Sequence, residues 1–136
     1  MGPMATQTQL TLVERMVATA LAQGAELIHG GKRAAVAGDG WYFEPTILAV
    51  DDNQCSIMQK EVFGPVASIM RFKDEAEALA LANDTEFGLA AGIWTQDNAR
   101  VHRMSKAVQG GSIWVNTYQA VSPMGAIGGY KASGYG

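Results

Sequence analysis

The stretch VASIMRFKDEAEALALA, residues 66–82, decides the fold class. Its first seven residues, 66–72, are rich in β-favouring side chains and predict a strand. Asp74 is a candidate helix N-cap with Glu77 three positions later, and residues 76–82 are strong helix formers. A strand that runs within a few residues into a capped helix is typical of proteins built from alternating β and α segments.

The same alternation extends to both sides of this stretch. The sequence predicts helices over 7–23, 74–83 and 98–108, and strands over 26–29, 45–50, 66–72, 90–95 and 112–116. The strands that follow the helices are nearly all apolar, as in parallel sheets that are buried on both faces. We therefore expect an α/β fold, a mostly parallel sheet with helices on both faces, over residues 1–136 without a repeat or a linker. The glycine-rich last twenty residues are predicted to form a loop.

Local signals set the limits of several elements. Asp97 is predicted to cap the helix over 98–108. Thr6 and Gln9 have the spacing of a capping box at the start of the first helix. Gly24 stands where this helix should end, and Pro45 must lie at a strand start or edge because it has no N–H to donate. One face of the first helix is predicted to be buried, through Leu10, Val13, Val17, Ala20 and Leu21.

Composition narrows the function classes. The chain is 48% hydrophobic and 17% charged, with a net charge of −3. Its basic residues are neither in excess nor clustered, so nothing indicates a nucleic-acid partner. No apolar run reaches membrane-spanning length, and no signal-peptide pattern opens the chain. A single cysteine excludes an internal disulfide and a zinc site built from cysteines, so we expect a soluble, cytoplasmic protein without a metal site.

The usual nucleotide and nucleophile motifs are missing from the sequence. There is no G-x-G-x-x-G between a strand and a helix, and Gly38-Asp39-Gly40 is predicted to be a turn. Cys55 follows no helix N-terminal signal and has no basic residue nearer than Lys60, so we predict a small packing residue. A spatial pair of Cys55 with His29 or His102 stays open as an alternative.

Two stretches are candidates for ligand binding. In QKEVFGPV, residues 59–66, the pair Gly64-Pro65 forces a bend. Glu61 and Phe63 are then either a surface glutamate and a core phenylalanine, or a carboxylate and a ring that face a cleft. In a cleft the carboxylate could accept ribose hydroxyls and the ring could flank a flat ring. The second stretch, AIGGYKASGYG at residues 126–136, is either a surface turn or a loop whose backbone approaches a ligand.

Seven sequence blocks carry a family resemblance. In chain order they are GPMATQTQ, GAELIHGG, YFEPTILAV, KEVFGPV, Asn83 with FGLAA, GSIWVNTY and GGYKASGYG. Each block is weakly specific, but together, in this order and spacing, they resemble the C-terminal part of the catalytic domain of NAD(P)-dependent aldehyde dehydrogenases. The resemblance covers essentially all 136 residues.

The resemblance implies roles for five residues. Glu61 is expected to bind the hydroxyls of the nicotinamide ribose of NAD or NADP, and Phe63 to pack beside the nicotinamide. Thr117, Val121 and Ile127 match positions that line the substrate tunnel.

The sequence also departs from the family pattern in two places. Lys60 stands where the family commonly has an acid. Ala126-Ile127 replaces a proline that is followed by an aromatic or aliphatic residue, and an aliphatic residue there leaves more room than an aromatic one. This departure puts in doubt any substrate inferred from relatives with aromatic tunnels.

The reaction implied by the resemblance is oxidation of a small-molecule aldehyde to a carboxylic acid through a cysteine thiohemiacetal and thioester. The nucleophile, the general base and the nucleotide-binding domain are expected upstream of Met1, and the oligomerisation strand after Gly136. On this basis the chain is a fragment, inactive alone, of a homo-oligomeric enzyme, and it contains no catalytic residue. The alternative is a stand-alone, non-catalytic binding or assembly module that kept the fold.

Overall fold

The computed structural model describes residues 1–35, 40–122 and 124–136 and confirms the α/β class. Most of the turn predicted at Gly38-Asp39-Gly40 lies outside the described residues. The elements in chain order are α1 (Gln7–Ala22), β1 (Glu26–His29), β2 (Thr46–Ala49), α2 (Ser56–Gln59), β3 (Val66–Ile69), α3 (Glu75–Asn83), β4 (Phe87–Gly88), β5 (Ala90–Ile93), α4 (Asn98–Ala107), β6 (Ser112–Val115) and β7 (Tyr130–Lys131).

The chain divides into two compact units, Met1–Arg71 and Phe72–Gly136. The strands of the described residues form three small sheets, in which the two four-residue ladders, β2–β3 and β5–β6, are parallel. The shorter ladders, β1–β2 and β4–β7, are antiparallel. The parallel pairing therefore belongs to the longest ladder of each unit.

The first unit is organised around β2, which pairs with β1 on one side and β3 on the other. Thr46, the first residue of β2, follows Pro45, so the proline lies just before the strand as predicted. The strand predicted over 66–72 ends earlier, at Ile69. The carbonyl of Ile69 accepts the N–H of Val50, the residue that follows β2, so β3 ends where its neighbour ends.

Helix α1 begins at Gln7 as predicted, ends at Ala22, one residue before the predicted end, and has most of the predicted buried face. Leu10, Val13, Val17 and Ala20 are buried, and Gly24 follows the helix with φ +97°. Leu21 is the exception, because its side chain is 39% exposed. With about 100° between successive residues, Leu21 lies at the edge of the stripe formed by the other four.

The core of the first unit consists of two clusters. One contains Leu10, Val13, Val17 and Phe43, and the other contains Ala20, Ala25, Leu48, Val50, Cys55 and Ile57. Cys55 is thus a packing residue, as predicted, and it directly precedes α2. The sequence does not predict α2, because a four-residue helix is too short to show a period.

In the second unit, side-chain caps start both helices as predicted. Asp74 accepts the N–H of Glu77 at 2.9 Å, and Asp97 accepts the N–H of Ala99 at 2.8 Å. Neither helix, both of which are fully described, contains a buried residue. The pairing of β7 with β4 corrects the prediction that the last twenty residues are loop throughout.

Candidate functional site

The bend between α2 and β3 places an aromatic ring in solvent. Phe63 adopts φ +52°, a left-handed conformation that costs a residue with a Cβ about 1–3 kcal/mol. Its side chain is 76% exposed, so Phe63 is not a core residue. A strained backbone that displays a large apolar side chain is typical of a ligand-binding segment.

The bend is held from two sides. From α1, the Gln9 side-chain amide donates to the carbonyls of Val62 at 2.9 Å and Phe63 at 2.8 Å. From β2, the Thr46 backbone N–H donates to the carbonyl of Pro65 at 2.8 Å. The strain at Phe63 is therefore supported by three hydrogen bonds to neighbouring elements.

Glycine is required within the bend because the chain passes close to α1. A Cβ at Gly64 would lie 2.6 Å from Cγ2 of Val13, one of the core residues of α1. Gly64 thus lets the bend approach the helix that anchors it.

Glu61 and Phe63 lie on the same open depression. Its volume is about 470 Å³, and it is lined by Ile57, Met58, Lys60, Glu61, Val62, Phe63, Gly64, Val66 and Ser68. Glu61 is exposed and, within the described part of the chain, forms no salt bridge with Lys60 or any other cation. The carboxylate is therefore able to accept hydrogen bonds from a ligand.

A second open depression lies in the second unit. It measures about 550 Å³ and is lined by Leu89, Ala90, Ser112, Trp114, Gln119, Ala120, Val121, Ser122, Gly125, Ala126 and Ile127. Val121 and Ile127 are 56% and 57% exposed, and the structure brings them together here. Thr117 is exposed but does not belong to the described lining.

Two residues hold the start of the segment that carries Val121. The Asn116 side chain accepts the Thr95 N–H and donates to the Thr95 carbonyl, both at 2.9 Å, which extends the β5–β6 pairing by a side chain. The Trp114 indole N–H donates to the carbonyl of Ala120 at 3.0 Å.

Lys131 and Ser133 bind the protein itself. The Lys131 ammonium donates to the carbonyls of Asn83 at 2.6 Å and Thr85 at 3.0 Å. The Ser133 hydroxyl oxygen accepts the N–H of Gly88 at 3.1 Å. These polar groups of the glycine-rich segment therefore join it to the region between α3 and β4.

The pairing of Cys55 with a histidine, left open by the sequence, finds no support in the geometry. Cys55 is buried and its Sγ donates to Oε1 of Gln23 at 3.2 Å, whereas His29 and His102 are exposed. The same Gln23 oxygen accepts the N–H and the hydroxyl of Ser56. The thiol thus belongs to the contact between the end of α1 and the start of α2.

A charge cluster joins α3 to α4 in the second unit. Arg103 and Arg100 donate to the Glu75 carboxylate and lower its pKa to about 2. Glu75 and Arg100 line a further depression of about 560 Å³ together with Phe72 and Trp94. Each member of the cluster is paired, so these charges fix the two helices relative to each other.

Comparison with known families identifies the chain. The sequence model of the aldehyde dehydrogenase family matches residues 1–136. The chain belongs to the aldehyde dehydrogenase family. The bend that carries Glu61 and Phe63 lies within the residues that the family model matches.

Individual relatives agree with this assignment. The chain is 45% identical over 138 residues to acetaldehyde dehydrogenase 2 of Cupriavidus necator, covering 99% of the chain and 27% of that protein. Among solved structures it superposes on an aldehyde dehydrogenase of Mycobacterium tuberculosis in complex with NAD⁺, with a TM-score of 0.95 and 38% identity over 100% of the chain and 28% of that structure. An NAD⁺ complex of a Bacillus cereus aldehyde dehydrogenase gives 0.94 and 32% over 100% of the chain and 27% of that structure.

The chain spans just over a quarter of the length of these aldehyde dehydrogenases. No helix among the described residues is both long enough and apolar enough to cross a membrane.

The sequence missed the residues that support the bend. Gln9 is recognisable only as a member of a capping box, and the structure confirms one half of that box, the bond from its N–H to Thr6 Oγ1 at 3.1 Å. The Gln9 amide is directed to the bend instead of back to Thr6. No sequence signal connects residue 9 to residues 62 and 63.

Proposed function

We propose that this chain supplies the nicotinamide-ribose contacts and part of the substrate tunnel of an enzyme that oxidises an aldehyde to a carboxylic acid with NAD or NADP. The observation that carries the proposal is the anchored bend, which places Glu61 and Phe63 on one open depression. Relatives solved in complex with NAD⁺ have the same fold over the whole chain, which supports a nicotinamide cofactor.

Glu61 fits the role of a ribose ligand. A carboxylate with two oxygens accepts two hydroxyl hydrogen bonds, and a charged acceptor strengthens each of them. Glu61 is exposed and has no salt bridge in the described part of the chain, so no ion pair must break before a ribose binds.

Phe63 fits the role of a flat apolar wall. Its left-handed backbone directs the ring away from the core clusters, and the ring stays exposed. Covering such a ring with a nicotinamide removes apolar surface from water, which contributes to binding.

NAD(P) supplies the hydride acceptor of the reaction. The residues of this chain bind and orient that group, and we place the cysteine nucleophile and the general base outside residues 1–136. Buried Cys55, whose thiol donates to Gln23, does not fit the nucleophile.

We further propose that Val121 and Ile127 contact the aldehyde. Both are exposed and apolar and line the depression of the second unit, so they favour a substrate with an aliphatic or other apolar side. The relative from C. necator is named for acetaldehyde, a small substrate of this kind. We propose the same role for Thr117, although it is not among the described residues that line the depression.

We also propose that the enzyme is cytoplasmic and that it forms homo-oligomers. Phe72, Trp94 and Ile69 leave large apolar side chains exposed, and such surface favours coverage by another domain or subunit. Light scattering of the purified enzyme tests this part, and a monomer at high concentration would contradict it.

The decisive experiment is Glu61→Gln in the dehydrogenase that contains these residues. The amide keeps the shape but removes the charge, and a charged hydrogen bond contributes about 1.5–3 kcal/mol. We expect NAD(P) binding or hydride transfer to weaken roughly ten- to a hundred-fold. Glu26→Gln is the matched control, since Glu26 is an exposed glutamate of β1, and it should leave cofactor kinetics unchanged. Equal cofactor kinetics for both variants would refute the proposed ribose contact of Glu61.

A further inference from the structure

The side chain of Gln9 connects helix α1 to the bend between α2 and β3. Its Nε2 donates to two successive carbonyls, those of Val62 and Phe63, across more than fifty residues of sequence. The Gln9 backbone N–H is already satisfied by Thr6 Oγ1, and the side chain is only partly exposed. Both ends of Gln9 are thus engaged, one in starting α1 and the other in holding the bend.

The two carbonyls that Gln9 binds flank Phe63, so these hydrogen bonds fix the backbone conformation of that residue. Phe63 is left-handed, with φ +52°, and an amide that binds the carbonyls on both sides of its N–Cα–C unit fixes this conformation. The direction of the Phe63 ring follows from that backbone, and Glu61 is only one residue from the first anchored carbonyl. Releasing the carbonyls would let Phe63 return to an ordinary, unstrained conformation.

We propose that Gln9 is a positioning residue for the cofactor, which acts by holding the left-handed turn that presents Glu61 and Phe63. This role rests on the proposed function, because it assumes that these two side chains contact the nicotinamide ribose and ring. Gln9 itself is not assigned a contact with the cofactor. A purely structural role, in which Gln9 only fastens the bend to α1, would affect stability without a selective effect on the cofactor.

The chain offers a closely matched pair of variants. Gln9→Glu keeps the size of the side chain but replaces the amide donors by a carboxylate that faces two carbonyl oxygens. Gln7→Glu introduces the same charge in the same first turn of α1, at an exposed residue. The difference between the two variants therefore isolates the contact with the bend from the effect of a negative charge at a helix N-terminus.

The measurements separate positioning from stability. For the complete dehydrogenase we expect Gln9→Glu to raise KM and Kd for NAD⁺ about ten-fold, with KM for the aldehyde changed far less. Gln7→Glu should leave all three constants unchanged. Combining Gln9→Glu with Glu61→Gln should weaken NAD⁺ binding by less than the product of the single effects, because both act on the same contact. Urea midpoints for every variant show how much of any change is stability.

Several outcomes would overturn the positioning role. One is that the effects of Gln9→Glu and Glu61→Gln on NAD⁺ binding simply multiply in the double variant. Another is that Gln9→Glu raises KM for NAD⁺ and KM for the aldehyde by the same factor. A third is that Gln9→Glu and Gln7→Glu change NAD⁺ binding equally. Unchanged NAD⁺ binding in Gln9→Glu beside weakened binding in Glu61→Gln defeats the positioning role alone. Unchanged binding in Glu61→Gln defeats the proposed function and this role with it. If Gln9→Glu does not fold, Gln9→Ala is used instead. It should also raise KM for NAD⁺, by a smaller factor than is expected for Gln9→Glu.

Discussion

Replacement of Thr46 by valine tests whether a buried hydroxyl holds the first unit together. Thr46 is 2% exposed, the one buried polar residue of the described chain. Its Oγ1 donates to the carbonyl of Glu44 and accepts the N–H of Gly31, both at 2.8 Å. The hydroxyl thus joins the start of β2 to the turn that follows β1. Valine has the same shape as threonine but cannot make either bond.

The expected loss follows from these two bonds. Each net hydrogen bond contributes about 1 kcal/mol, and a polar group left without a partner adds to the loss. Gly31 and Glu44 are partly exposed, so water can replace part of what the hydroxyl provided. The methyl group gained by valine returns at most about 0.8 kcal/mol. We therefore expect Thr46→Val to lower the free energy of unfolding by about 2 kcal/mol.

Thr46→Ser is the matched control, because serine keeps the hydroxyl and loses only a methyl group, worth about 1 kcal/mol. Urea denaturation should give midpoints in the order threonine, serine, valine, with valine about 1 M below threonine. Hydrogen exchange of the Gly31 amide should be faster in the valine variant only. A valine variant as stable as the serine variant, with Gly31 protection unchanged, would refute this reasoning.

Three further predictions concern other parts of the chain. Glu75 has a pKa of about 2, below its ordinary value of 4.5. Its ion pairs therefore stabilise the fold fully above pH 4.5 and progressively less as the pH falls towards 2. Glu75→Gln should have a lower melting temperature than the wild type at pH 7, and the difference should shrink over that pH range. Cys55→Ser in the complete enzyme should leave turnover within a few-fold, because the thiol packs in the core. A loss of roughly a thousand-fold or more, as expected when a nucleophile is removed, would show that Cys55 is the nucleophile. Asn83→Ala removes a donor to the Ala107 carbonyl at 3.0 Å and an acceptor for the Gln109 N–H at 2.8 Å. In urea titrations this change should lower the free energy of unfolding by about 1–2 kcal/mol. The control Asn98→Ala, at an exposed residue, should have a much smaller effect.

Sequence reasoning predicted the elements whose signals are local. Asp74 and Asp97 cap their helices, Gly24 ends α1, and Pro45 precedes β2, because each of these signals acts within one turn of chain. The α/β class follows from the same alternation and is confirmed. The errors at strand ends, such as the extension of β3 beyond Ile69, arise because a neighbouring strand sets the length of a ladder.

The residues of the candidate site could be named from the sequence only through the family resemblance. The geometry of the site depends on contacts that periodicity cannot show. The bonds from Gln9 to residues 62 and 63 cross more than fifty positions, and the left-handed conformation of Phe63 is unusual for a phenylalanine. The role of Lys131 was missed for the same reason, since its carbonyl partners lie at residues 83 and 85.

The tie formed by Lys131 has a consequence for how this protein can evolve. The segment 116–129 carries the three proposed tunnel residues, and it is fixed before its start by β6 and at its end by β7 and the Lys131 ammonium. When both ends of a loop are fixed, doubling its length adds only about 0.6 kcal/mol of closure entropy. Insertions and deletions there can therefore accumulate at small expense to the fold. The proposed tunnel can therefore change in length and shape while the strands at its two ends keep their pairing.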